Sequence, residues 1–173
     1  MQSSTTMLNT PVDVLNYALT LEHLEYAFYR DGLEQFSAED FAAAGYAGNV
    51  YEWFGIIRDH EDEHVQTITQ VITDLGGEPV AEAEYDFGYA DLAGFVRVAQ
   101  VLENTGVSAY QGAAQFLIDE DALLTAALTI HGVEARHAAY LNGLRGESPF
   151  PKAFNPSQTP DEVLAAAGGF IVS

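Results

Sequence analysis

VYEWFGIIRDHEDEHVQTITQVITDL, residues 50–75, is the stretch that decides the fold. Its apolar residues Val50, Phe54, Ile57, Ile68, Val71 and Leu75 recur at intervals of three and four, the seam of a helix packed in a bundle. Glu61 and His64 fall in the middle of that seam. Three residues make about one helical turn, so both side chains leave the face that the apolar residues bury. The same arrangement recurs downstream, where Leu123, Ala127, Ile130, Leu141 and Leu144 flank Glu134 and His137. Two Glu-x-x-His pairs on buried faces are hard to account for without metal.

Two further long helices complete the pattern. The first runs from Pro11 to about Leu33, with Thr10 as cap, Pro11 at its first position and Gly32 near its end. Its seam is Leu15, Ala18, Glu22, Glu25 and Tyr29. The third runs from about Asp91 to Leu117 on a seam of Ala99, Glu103, Gly106, Tyr110, Ala113 and Leu117. Asp119 is placed to cap the fourth helix, which Gly146 and Pro149 end. Between the first two long helices, residues 36–48 leave room for a short one. The expected architecture is an all-α four-helix bundle over residues 11–145, in a single domain spanning 1–173. A Pro-rich tail, 146–173, follows, with a short last helix opened by the capping box Thr159-Pro160-Asp161-Glu162.

The chain carries a formal charge of −20, from 26 acids against five arginines and one lysine. Such a surface repels nucleic acid and anionic membranes, so neither is expected as a partner. It suits a cytoplasm of high salt, where screening over about 3 Å at 1 M tolerates the self-repulsion. There is no cysteine, which excludes disulfides and thiolate metal sites. Met1 to Thr10 is polar, without a leader pattern, and no apolar run approaches a bilayer span. A soluble cytoplasmic protein is expected.

Each long helix interrupts its own seam near mid-length with ionisable groups, and no lysine or arginine accompanies them. An unpaired buried carboxylate costs several kcal/mol, and several facing one another cost more. Two divalent cations would neutralise four of them, and carboxylate with imidazole suits iron, manganese or zinc. A glutamate from each of two helices and Glu-x-x-His from each of two others is a ligand set that helix bundles use for two iron or manganese ions. On the third helix Glu103 is the only acid between Asp91 and Asp119. On the first, Glu22 and Glu25 both lie on the seam, one as ligand and the other as alternative or support. Glu22 precedes Tyr29 by seven residues, as Glu103 precedes Tyr110, and this parallel favours Glu22. Tyr29 and Tyr110 are either core aromatics or groups that orient these carboxylates and hand over protons. His23, His60 and His131 read as non-ligands, with His60 about 100° round the helix from Glu61 and so off the seam.

LNYALTLEHLEYAFY (15–29), ENTGVSAY (103–110), EARH (134–137), PFPKAF (149–154) and TPDEVL (159–164) resemble the ferritin-like domain of desiccation-related proteins. The resemblance covers nearly the whole chain. It implies a ferritin-like bundle around a carboxylate-bridged dinuclear centre. The implied ligands are Glu22, Glu61, His64, Glu103, Glu134 and His137, with Glu61 and Glu134 bridging and each histidine on one metal. Similar bacterioferritins carry an aspartate just before each Glu-x-x-His; His60 and Val133 stand there instead. The expected activity is that of a di-iron oxidoreductase, oxidising iron or reducing O2 or peroxide, with Tyr29 and Tyr110 as catalytic candidates. Lacking cysteine pairs, the chain would need a separate electron donor. Manganese or mixed-metal catalase-like chemistry, iron storage and a non-catalytic stress-associated role are the alternatives, and a homo-oligomer is compatible with all of them.

Overall fold

The computed structural model describes residues 8–172, so most of the Met1–Thr10 stretch lies outside it. Six α-helices follow in order: α1 Pro11–Gln35, α2 Ala38–Ala43, α3 Val50–Asp74, α4 Leu92–Ala113, α5 Asp121–Leu144 and α6 Pro160–Ala167. The four long ones form the bundle. Tyr29 packs on Phe54 while Glu22 meets His64, so α1 and α3 are antiparallel. Gln100 meets Asn142 while Glu103 meets His137, so α4 and α5 are antiparallel too. Phe28 lies on Phe95 and Glu22 on Tyr110, which sets α4 antiparallel to α1 and hence parallel to α3. The connection 75–91 therefore runs the length of the bundle. No helix among the described residues is long and apolar enough to cross a membrane.

Local chemistry explains most helix ends. Thr10, Ser37 and Thr159 each form a capping box, with Asp13, Asp40 and Glu162 returning a hydrogen bond to the cap backbone. Gly76 and Gly146 stop α3 and α5 with φ of 76° and 77°, a region in which only glycine is free of strain. Gly32 does lie near the end of α1, at Gln35, but a Cβ on it would lie 2.0 Å from Phe95 Cε2, so its role is to let that ring in. Two expectations are corrected. The third long helix ends at Ala113 and passes into a 3-10 turn, Ala114–Leu117. Asp119 does not cap α5: Glu120 holds the cap position, without a side-chain bond.

The core is aromatic at one end. Phe28 stacks on Phe95 with centroids 4.8 Å apart and meets Phe87 and Tyr89 edge-on. Phe87 and Tyr89 come from the long connection, which thus closes the bundle over Phe28. The tail pins that connection through a bridge between Tyr85 and Ile171 and backbone bonds from Asp86 to Phe170 and from Val172 to Glu84. Between α4 and α5 the Gln100 and Asn104 amides both donate to Asn142 Oδ1, at 2.8 and 3.0 Å. Such a polar cluster costs more to misregister than an apolar one, so it holds the register of the two helices that carry half the site.

Residues 155–158 lie along α4, with Gln158 N–H donating to Ser108 O and Gln111 Nε2 to Asn155 O. A Cβ at position 112 would sit 1.9 Å from Gln158 O. Gly112→Ala should therefore lift the tail off α4. We expect a loss of about 1–3 kcal/mol, roughly 5 °C in Tm for a chain of this size, and early proteolysis after residue 146. An unchanged Tm with a protected tail would refute this packing.

Candidate metal centre

The helical seams converge at mid-bundle. Glu22 and Glu25 come from α1, Glu61 and His64 from α3, Glu103 from α4, and Glu134 and His137 from α5. Glu22, Glu61, Glu103 and Glu134 have no exposed surface, and Glu25 and His137 are also buried. No arginine or lysine side chain among the described residues is buried with them.

The ligating atoms form two groups. Glu22, Glu61, His64 and Glu134 each bring one donor atom within 4.8 Å of the others, and so do Glu61, Glu103, Glu134 and His137. Glu61 and Glu134 belong to both, whereas the remaining four each belong to one. His64 Nδ1 lies 3.1 Å from Glu22 Oε2, 3.0 Å from Glu61 Oε2 and 3.4 Å from Glu134 Oε1. His137 Nδ1 lies 3.0 Å from Glu61 Oε1 and 3.2 Å from Glu103 Oε2. Each tyrosine crosses to the opposite group: Tyr29 donates to Glu103 Oε1 at 2.6 Å, and Tyr110 donates to Glu22 Oε1. The halves α1–α3 and α4–α5 thus match residue for residue.

The charge balance is unfavourable as it stands. Burial, reinforced by neighbouring carboxylates, pushes Glu134 and Glu25 well above the usual carboxyl range. Burial also pushes Glu61 up, to about 7, against the pull of His137 and His64. Burial alone would discharge the imidazoles, but Glu22 and Glu61 push His64 up to about 10, and Glu103 and Glu61 push His137 up to about 10. Burial, then Glu103, keeps the Tyr29 phenol protonated, and burial with Glu22 does the same for Tyr110. Both phenols remain hydrogen-bond donors.

Glu61 Oε1 and both oxygens of Glu134 are buried without a hydrogen bond of good geometry. These atoms belong to the two carboxylates common to both groups, the positions from which a pair of cations would be bridged. Unpaired buried oxygens are costly unless something binds them. Four carboxylates and two imidazoles, all hard or borderline donors with no thiolate, fit two divalent cations. The residues present therefore suit the ligand set expected from the sequence.

Two positions break the match between the halves. Glu25 has Gly106 opposite it: a Cβ there would come 3.1 Å from Glu25 Oε1 and 3.3 Å from Glu134 Oε2. Glu25 takes the space that this missing side chain leaves, and it belongs to neither group of four. His60 is the second. It does not turn away from the site as its place on the helical wheel suggests; its Nδ1 lies 2.9 Å from His137 Nε2. Its direction, off the seam of α3, is toward α5. His23 instead approaches Val80 O, at 3.1 Å, and His131 joins neither group.

Comparison with known proteins agrees with this geometry. Protein rds1 of Schizosaccharomyces pombe is 28% identical over 160 residues, covering 91% of this chain and 38% of that protein. The chain thus spans well under half the length of this relative. The model of the ferritin-like domain matches residues 10–147, which contain all four long helices and every residue of the site, so the chain belongs to the ferritin-like domain family.

Proposed function

We propose that this chain is a dinuclear metal carboxylate protein, with iron as its working metal, that passes electrons to a small oxidant, O2 or peroxide. The observation that carries the proposal is the pair of four-residue groups sharing Glu61 and Glu134, where Glu61 Oε1 and both Glu134 oxygens are buried without a hydrogen bond of good geometry. Glu22 and His64 would hold one ion, Glu103 and His137 the other, and Glu61 and Glu134 both. The bound pair would supply one electron from each ion to the oxidant.

The chain's own residues serve this chemistry in three ways. The carboxylates neutralise the ions in a core that excludes bulk water. Tyr29 and Tyr110 hold Glu103 and Glu22 through their phenolic protons, fixing the outer carboxylates with their second oxygens beside the imidazoles of His137 and His64. The same phenols, protonated and in contact with the outer carboxylates, are available as proton donors when a reduced oxidant needs a proton. Electrons would come from a separate small donor. A cytoplasmic setting, and an acidic surface adapted to salt, belong to the same proposal.

The test is anaerobic titration of metal-free protein with ferrous iron, followed by air. The expected result is two irons per chain and a visible absorption that develops only on exposure to the oxidant. Two bound irons that stay colourless and reduced in air would overturn the redox role. Tight binding of manganese with O2 evolution from peroxide would point to catalase-like chemistry instead. A large iron-filled particle in light scattering would point to storage.

A further inference from the structure

The inner faces of the two imidazoles are alike, since each Nδ1 meets carboxylates at 3.0–3.4 Å. Their outer faces differ. Behind His137 stands His60, Nδ1 to Nε2, 2.9 Å away. The two ring planes are within 12° and the centroids 5.2 Å apart, an edge-to-edge arrangement in which one ring nitrogen points at the other rather than face stacking. Behind His64 the corresponding residue, directly before Glu134 as His60 directly precedes Glu61, is Val133. Valine offers no acceptor. His64 lines a surface pocket of about 220 Å³ with Glu63, Thr67, Thr129, Ile130 and Val133; the pocket of about 160 Å³ that His60 and His137 line carries Arg136 and no carboxylate, and so does not favour a cation.

We propose that His60 makes the two metal positions unequal, so that the His137 position fills first and holds its ion, while the His64 position fills second and exchanges through the pocket beside Glu63. The inference rests on the dinuclear reading above. A cation on His137 Nδ1 leaves the ring proton on Nε2. His60 Nδ1 is placed to accept that proton in a hydrogen bond, with His60 carrying its own proton on Nε2. The bond fixes the ring's tautomer and orientation and makes Nδ1 a better donor to the cation. Partners of this kind are worth about 10–100-fold in metal affinity. His64 has no such partner, and the pocket gives a cation a short path to it past an exposed carboxylate. His60 is therefore a positioning residue, acting on the metal only through His137.

Titration of the metal-free full chain with Co²⁺, read by its visible absorption and by competition with a chelator, tests this. Wild type should bind two Co²⁺ in steps about 10–100-fold apart. His137→Ala should remove the tighter step and His64→Ala the weaker. His60→Ala should weaken the tighter step by that factor and leave the other unchanged. His60→Asn, whose Oδ1 can stand where Nδ1 stood, should restore the separation. Val133→Asn should tighten the weaker step, and it carries the test if His60→Ala does not fold. Two equal steps in wild type, or equal weakening of both in His60→Ala, would overturn the proposal. Fewer than two Co²⁺ per wild-type chain would instead sink the dinuclear reading.

Discussion

Raising the pH from about 5 to about 9 should progressively destabilise the metal-free protein, and two divalent cations should remove that dependence. Burial, then neighbouring carboxylates, penalise the charged form of Glu61, Glu134 and Glu25 in the fold, raising Glu61 to about 7 and the other two well above the usual carboxyl range. In the unfolded chain the same groups ionise near 4.3. His64 and His137 hold their protons up to about 10 against burial, because carboxylates surround them, whereas unfolded histidine releases its proton near 6.5. The sign is the same for all five groups: across this window the folded state binds more protons than the unfolded one. Stability therefore falls as pH rises, by at most about 1.4 kcal/mol per proton per pH unit. A cation takes the place of these protons, so binding should release them and tighten with pH. Thermal unfolding at pH 5, 7 and 9, with chelator and with Mn²⁺, measures both trends. The acidic surface of a chain with formal net charge −20 adds its own pH dependence, but about 1 M salt screens it beyond 3 Å while screening the buried groups much less. A metal-free Tm that stays flat or rises under those conditions would contradict the proton inventory of the site.

That inventory explains why so much of the site was legible in the sequence. Charge on an apolar seam is anomalous because burying it is costly, so Glu61, His64, Glu103, Glu134 and His137 stand out by position; Glu22 and Glu25 stand out equally, separated only by the parallel with Tyr29, and the structure brings Glu22 together with the other five. The bundle was legible for the complementary reason, that seams of period 3–4 need partners. What spacing could not reveal depended on other helices. A repeat of 3.5 drifts about 20° per heptad on a straight helix. At the end of α3 it is accordingly Ile72 that is buried, while Val71 is partly covered and Leu75, expected inside, is half exposed. Gly32 looks like a helix stop until Phe95 is placed against it. Glu25 is accommodated by the missing side chain of Gly106, a residue on another helix with no pattern linking the two. His60 was set aside because its wheel position is off the seam of its own helix; only the neighbouring α5 gives it His137 to face.

Replacing either shared glutamate should abolish binding of both ions at once, whereas replacing an unshared one should abolish one. Glu61 and Glu134 contribute to both groups, while Glu22 and Glu103 each contribute to one. Metal analysis of Glu61→Gln and Glu134→Gln should find less than one ion per chain, and of Glu22→Gln or Glu103→Gln close to one. Equal losses in all four variants would mean that the centre is not built around a shared pair. The metal-free variants should respond in the opposite direction. Glu134 has no hydrogen-bond partner for either oxygen and faces Glu61, Glu103, Glu25 and Glu22 across a core without arginine. Glu134→Gln keeps the side-chain volume, so no cavity forms, and it is neutral in both states, whereas Glu134 must take up a proton to be buried at pH 8. Its Tm in chelator at pH 8 should exceed that of wild type, while the rise that cations give wild type should vanish. Residues that oppose folding when the site is empty and support it when filled are placed for the ions rather than for the fold. A variant that loses both its metals and its metal-free stability would instead mark Glu134 as part of the packing.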